Sequence, residues 1–335
     1  MKITNSELLC FDDVLIRPLY SDIRSRSEIS LGSDCNGLGL SIPIVASPMD
    51  TVTETDMARA IGCMGGLGVI HRYNTIEQQV ELVLPAPHAA CAIGVSGDFL
   101  DRATALYEVG VRTFCIDVAH GHTSMMKKAI EYLRDRLGDD IHIMAGNVAT
   151  LDAFNDLADW GANSIRVGIG GGSICSTRIQ TGHGMPTLAS VLECGQSDRD
   201  AALIADGGIR TPGDIAKCLG AGADAVMLGS LLAGTDEAPG EIIIVDGEKH
   251  KVYRGMASKE AQIDWRGHTA SLEGVSSVVP SKGPVMPILT ELAQNVRSAL
   301  SYSGARSISE FQAKCQFERV SSLSVKESST HILTR

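Results

Sequence analysis

From about residue 42 the chain repeats one pattern. A short β-branched apolar run is followed by a turn with Gly, Asp, Asn or Ser, and then by helical periodicity with charge on one face. Eight such runs occur: IPIVAS (42–47), LGVIH (67–71), ACAIGV (90–95), TFCIDV (113–118), HIMAGNV (142–148), SIRVGI (164–169), LIADGG (203–208) and AVMLGS (225–230). Short continuous apolar runs bounded by turn residues read as strands buried on both faces. Between them TETDMARAIGCM, SMMKKAIEYLRDRLG and TLDAFNDLADWG read as helices, the last opened by Thr150 as N-cap and closed by Gly161. Eight βα units with short connections predict an α/β fold, a single closed (β/α)8 barrel spanning residues 1–335. A doubly wound open sheet is the runner-up, but such sheets usually stop nearer six strands.

Two segments break the repeat. Residues 1–41 precede the first strand and are expected to cap the bottom or flank of the barrel. Residues 237–285, from APGEIIIVDGEKHKVYRG to VVPSKG, are strand-like and then rich in small residues, the pattern of a hairpin followed by a mobile flap. PVMPILTELAQNVRSALSYSGA then restores helical periodicity and supplies the last barrel helix, and the polar tail, 306–335, is expected to be loosely ordered at its end.

Composition narrows the partners. A net charge of −11 without basic clusters argues against nucleic acid, so an anionic ligand must be met locally by backbone amides, a helix end or a few arginines. The N-terminal MKITNSELLCFDDV has no apolar signal core and no run reaches membrane-spanning length, which predicts a cytoplasmic protein with no membrane partner. Nine cysteines without a C-x-x-C pair suit a reducing compartment and form neither a disulfide framework nor a zinc site.

In a βα barrel the reactive side chains stand where strands end, so Asp50, Asp117, Asn147, Cys175, Asp206 and Ser230 are expected on one rim. Cys175 lies in GIGGGSICSTR, a glycine-dense loop after the sixth run, with Arg178 three residues on, where its charge would favour a thiolate. The plain alternative is a buried small hydrophobe, the usual state of cysteine. Gly207 and Gly208 after the seventh run, with Gly229 and Ser230 after the eighth, occupy the place where barrels hold phosphate on backbone amides; as an alternative they only make tight turns. Asp206 is suited to paired ribose hydroxyls, or to capping the next helix. Asp117 ends an apolar strand, where a carboxylate is costly unless it meets a polar group. His120 and His122 have no third ligand of matching spacing. Glu273 reads by default as a solvated surface acid, and Thr177 by itself as an ordinary hydroxyl.

These motifs, with FDDVLIRP, SPMDTVTE, IDVAHGH, AGNV, ADGGIRTPGDIAK and MLGSLLAGTDEAPGE in order over residues 8–317, resemble the inosine monophosphate dehydrogenase and guanosine monophosphate reductase family. The resemblance leans to the reductase. GVIHRYNTIEQQVELV passes almost directly to CAIGV, without the inserted regulatory domains usual in dehydrogenases; IDVAHGHT and the Thr181-Gly182 pair are reductase-like, and the segment 256–273 lacks the dehydrogenase Arg-Tyr pair. SPMDTVTE, GGLGVIHR and EGV look more like the dehydrogenase, and Ala270 replaces a reductase arginine, with Arg266 four residues upstream.

On the reductase branch the resemblance implies that Cys175 attacks C2 of GMP, with Thr177 and Glu273 as the proton-handling pair and NADPH as hydride donor. It implies Asp206, Gly207, Gly208, Gly229, Ser230, Gly255, Met256 and Gly274 around the nucleotide. Ser25, Arg26, Arg72, Asp117, Val118 and Ala119 would contact the dinucleotide. Carbonyls of Gly170, Gly172 and Cys175 would hold a monovalent cation, K+, with Arg178 nearby, and the assembly would be a homotetramer. The dehydrogenase branch uses the same cysteine to oxidise IMP to XMP with NAD. A purine-nucleotide-binding protein without catalysis is the third reading.

Overall fold

The structure is a computed structural model that describes residues 7–328. Eight parallel strands close into a barrel: β1 (Ile44–Ala46), β2 (Leu67–Ile70), β3 (Ala90–Ile93), β4 (Thr113–Asp117), β5 (His142–Val148), β6 (Ser164–Val167), β7 (Ala202–Asp206) and β8 (Ala225–Leu228), with β8 pairing back on β1. Alternation assigns each side chain to a face. Val45, Leu67, Val69, Ala90, Ala92, Cys115, Met144, Ala202, Ile204, Ala225 and Met227 fill the interior. Their sequence neighbours, among them Ile44, Ile70, Ile93, Phe114, Ile116, Ile143 and Ile165, face outward beneath the helices.

The helices are α1 (Thr55–Cys63), α2 (Ile76–Val83), α3 (Phe99–Glu108), α4 (Ser124–Leu137), α5 (Leu151–Asp159), the short α6 (Thr177–Thr181), α7 (Thr187–Cys194) and α8 (Pro212–Gly220). Thr150 caps α5 as expected, its hydroxyl accepting the Ala153 N–H. After the excursion that follows β8, the last barrel helix, α10 (Val285–Tyr302), packs between α1 and α8 and completes the ring. No helix among the described residues is long and apolar enough to cross a membrane.

The N-terminal segment serves both ends of the barrel. Ser33 pairs with Leu40, and Cys35, Leu38 and Leu40 join the interior cluster, closing the bottom as expected. Phe11 and Asp12 reach the loop after β7 instead, where Lys217 donates to the Phe11 carbonyl at 2.7 Å and Arg210 pairs with Asp12 at 2.6 Å.

The excursion is more structured than a hairpin and flap. β9 (Ile243–Val245), β10 (Glu248–Arg254) and β11 (Ser276–Pro280) form an antiparallel sheet, with α9 (Lys259–Arg266) inserted between β10 and β11. Lys251 anchors it, its buried ammonium donating to the carbonyls of Thr235, Asp236 and Ala238. The tail is also built further than its polarity suggests: α11 (Ile308–Lys314) packs on α8, and Phe317–Arg319 pairs with Val14–Ile16. The end of the tail, 329–335, lies outside the described residues.

Candidate active site

The strand ends surround a cavity of about 510 Å³. Its walls include Cys175, Thr177, Glu273, Asp206, Gly207, Gly208, Gly229, Ser230, Gly255, Met256, Gly274, Arg72, Asp117, Val118, Ala119, Gly170 and Gly172. Arg178 lines a smaller neighbouring cavity, and Ser25 and Arg26 line neither: they form a short turn packed against α10. Asp50 is likewise not in the wall. It pairs with Arg254 at 2.7 Å, and Arg254 pairs in turn with Asp264 of α9 at 2.6 Å, so Asp50 fastens the excursion to the barrel.

The loop after β6 must run hard against β7. A Cβ on Gly168 would come within 1.9 Å of the Asp206 carbonyl oxygen, so only glycine lets the two loops meet there. The turn continues to Cys175, whose N–H donates to the Gly172 carbonyl at 3.1 Å and whose Sγ lies 3.1 Å from the Thr177 hydroxyl. Cys175 is half-buried. Arg178 packs along Gly170 and Gly184 and donates to the Met185 carbonyl.

The excursion brings an acid, Glu273, to the same cavity. Ser176 N–H donates to the Glu273 carbonyl at 2.8 Å, Val275 N–H to the Ile174 carbonyl at 3.0 Å, and Cys175 bridges Gly274. The segment carrying Glu273 is therefore an added strand on the cysteine loop, which puts that carboxylate in the same wall as Cys175 and Thr177. Glu273 accepts a hydrogen bond from Ser271 at 3.1 Å. Gln262 of α9 braces the segment, donating to the Ala257 and Ser271 carbonyls and accepting the Ala270 N–H.

Beneath the cavity Arg166, absent from the sequence expectations, lies between two aspartates. It donates to Asp117 at 2.6 Å and to Asp206 at 2.8 Å, and Asn147 adds a bond to Asp206 at 2.8 Å. Gly146 makes room, since a Cβ there would sit 2.6 Å from that of Arg166. Burial works against the guanidinium's charge, but Cys115, Asp206 and Asp117 outweigh it and raise its pKa further. Burial pushes the Cys115 thiol up to about 12, so the ion pairs of Arg166 are those to Asp117 and Asp206. The polar group that Asp117 required is Arg166.

Gly207 and Gly208 follow, with φ of +98° and +76°. Gly229 is hemmed in by the Tyr253 hydroxyl and Ser47, and buried Tyr253 adds a phenol to this end of the wall that the sequence reading missed. At the opposite end Arg72 donates to the Asp117 carbonyl at 3.2 Å, and Arg266 of α9 lines the mouth. His122 stands apart, 2.8 Å from Asp156, and no group of three or more His, Cys, Asp or Glu among the described residues is placed to hold a metal ion.

Barrel and site together are those of a βα-barrel oxidoreductase. The domain model of the IMP dehydrogenase / GMP reductase family matches residues 8–331, and the chain belongs to that family. It is 31% identical over 468 residues to an inosine-5'-monophosphate dehydrogenase of Nitrosopumilus maritimus, covering 97% of this chain and 98% of that protein. It is 38% identical over 297 residues to a GMP reductase of Leishmania major, covering 85% of this chain and 58% of that protein. Among solved structures it superposes, with a TM-score of 0.93 and 30% identity over 98% of both chains, on a GMP reductase from Trypanosoma brucei in complex with guanosine 5'-monophosphate.

Proposed function

We propose that the protein is a GMP reductase, converting GMP to IMP and ammonia. The observation that carries this reading is the backbone pairing of 273–275 with 174–176, which sets Glu273 in the wall of the same cavity as Thr177 and Cys175, whose thiol lies 3.1 Å from the Thr177 hydroxyl. The Cys175 thiolate forms a bond to C2 of the purine, and the C2 amine, protonated through Thr177 and Glu273, leaves as ammonia. When bound, a nicotinamide dinucleotide, NADPH, would supply the hydride to C2, after which expulsion of the Cys175 thiolate restores the free cysteine and releases IMP. Arg166 holds Asp206 toward the ribose hydroxyls, while Gly207, Gly208, Gly229, Ser230 and Tyr253 receive the phosphate and Gly255, Met256 and Gly274 close over the nucleotide. Arg72, Asp117, Val118 and Ala119 face the dinucleotide.

The carbonyls of Gly170, Gly172 and Cys175 would hold K+, which fixes the cysteine loop; that of Gly172 keeps one lone pair after accepting the Cys175 N–H. The exposed Ile242, Ile244 and Val278 of the excursion are surfaces that assembly into a homotetramer would cover. The dehydrogenase reading, IMP to XMP with NAD, is favoured by the match to an inosine-5'-monophosphate dehydrogenase over nearly its whole length and by an arginine, Arg266, on the excursion at the mouth. Purified protein is given GMP with NADPH, or IMP with NAD, while reduced nicotinamide absorbance is followed. Consumption of NADPH with GMP supports the reductase; turnover with the second pair alone replaces it with the dehydrogenase.

A further inference from the structure

Beside the main cavity lies a second one of about 260 Å³. Gly171, Ser173, Gly208 and Ser230 line both, so the two cavities meet at the turns that follow β6, β7 and β8. The remaining wall of the second cavity includes Phe11 and Asp12 of the N-terminal segment, the side chains of Arg178 and Arg210, and Pro186 and Thr187 at the start of α7. The proposed reaction gives Thr187 and the start of α7 no task.

Three features of this wall suit an anion. The first is the helix: α7 has eight residues and no side-chain cap, with Pro186 at its N-cap and its first hydrogen bond donated by the Ser190 N–H to the Pro186 carbonyl at 3.0 Å. The N–H groups ahead of that bond, on Thr187, Leu188 and Ala189, form the positive end of the helix. The second is Thr187 itself, 4% exposed, whose hydroxyl is buried without a hydrogen-bond partner, a costly state that an acceptor would relieve. A Cβ on Gly171 would fall 2.3 Å from that hydroxyl, so it is aimed at the junction of the two cavities. The third is Arg178, which donates to the Met185 carbonyl and has no carboxylate partner among the described residues. Asp12, the acid in this wall, is already matched by Arg210 at 2.6 Å, and Arg210 also lies 3.5 Å from Asp214.

We propose that the second cavity binds a phosphate group, held by the Thr187 hydroxyl, the start of α7 and Arg178. Phosphate oxygens accept from hydroxyl, amide and guanidinium alike, and a helix N-terminus favours their charge. Two sources present that group. One is inorganic phosphate. The other, resting on the reading that the main cavity takes a guanine nucleotide with its phosphate on the glycine turns, is the second phosphate of a nucleoside diphosphate, which would reach across the shared residues. A monophosphate ends at the turns and leaves the second cavity open.

Isothermal titration calorimetry of the full chain with inorganic phosphate, GMP and GDP tests this. Inorganic phosphate, added to protein saturated with GMP so that the glycine turns are covered, should bind at one site, or GDP should bind at least about tenfold more tightly than GMP. The first result makes the free ion the source, the second the nucleotide. In either case Thr187→Val and Arg178→Gln should each weaken the phosphate, or erase the GDP advantage, by about tenfold, and Thr187→Ser should retain binding. GMP affinity should be unchanged in Thr187→Val, which also shows that its fold is intact. Absence of phosphate binding together with GDP no tighter than GMP would overturn the proposal, as would binding that Thr187→Val and Arg178→Gln leave intact. Phosphate binding that depends on Thr187, in a protein that binds no GMP, would uphold the site and sink the guanine nucleotide reading alone.

Discussion

Replacing Arg166 by Met removes the one positive charge between two largely buried carboxylates and keeps the side-chain volume. In the parent the guanidinium is 6% exposed and the Asp117 and Asp206 side chains are 19% and 16% exposed. Breaking a buried pair from one side costs about 3–5 kcal/mol, and partial exposure of the aspartates places this case at the lower end. At about 2 °C per kcal/mol for a chain of this size, the melting temperature should fall by about 6 °C near neutral pH. The uncompensated carboxylates will bind protons more tightly in the folded than in the unfolded variant, so the deficit should shrink as pH falls toward about 5. Adding Asp117→Asn and Asp206→Asn to Arg166→Met removes the repulsion and should recover part of the loss at neutral pH. Scanning calorimetry of the three proteins at both pH values is the assay. An Arg166→Met protein that melts with the parent at neutral pH, or whose deficit does not change with pH, would show that Arg166 does not hold these carboxylates.

Three further outcomes follow from other parts of the molecule. His142, at the start of β5, is held down to about 4 by burial and then by Arg134. Its unfolded value is about 6.5, so the folded state binds fewer protons, and up to about 3 kcal/mol should be lost as pH falls from 6.5 through 4; His142→Asn should flatten that acid limb in denaturant titrations. Burial pushes the thiols of Cys35, Cys115 and Cys194 up to about 12 and raises Cys91 and Cys218 further, while Cys63 is exposed and Cys175 half-buried. Native alkylation followed by peptide mapping should therefore label the exposed Cys10 and Cys63 and the half-buried Cys175 first, with GMP protecting Cys175 alone, and reach those five only after unfolding. Gln262→Ala removes three hydrogen bonds that brace the Glu273 segment, so kcat should drop by about tenfold or more with little change in melting temperature; an unchanged kcat would show that the brace is dispensable.

The barrel was legible because each strand is a short apolar run and each run is followed by a turn. HIMAGNV coincides with β5 residue for residue. The helix α9 was missed because KEAQIDWR buries only Ala261 and Gln262, too little apolar surface to produce a periodic stripe. Of the site, the residues at strand ends were legible because the barrel dictates where they converge, and Cys175, Thr177 and Glu273 do line one cavity. Arg166 was passed over inside the apolar run SIRV. Two signals could have found it: a charge at an inward position two residues after Ser164, and aspartates ending the flanking strands, Asp117 of β4 level with Arg166 and Asp206 of β7 two residues beyond Ile204, which is also level with it. Ser25 and Arg26 came from resemblance alone and lie outside the cavity of their own chain. The backbone pairing that seats Glu273 has no local sequence signature, because it joins segments about a hundred residues apart and uses main-chain atoms.

The proposed reaction turns on a covalent bond from Cys175 to a guanine nucleotide and on release of the amine from that adduct. Mixing the enzyme with GMP, quenching in acid and mapping the peptides by mass spectrometry, with ammonia measured in parallel, tests it directly. A nucleotide adduct on the Cys175 peptide, accompanied by ammonia, is expected, and neither in Cys175→Ala. Ammonia released by the Cys175→Ala protein, or an adduct that forms only from IMP in the presence of NAD, would contradict it.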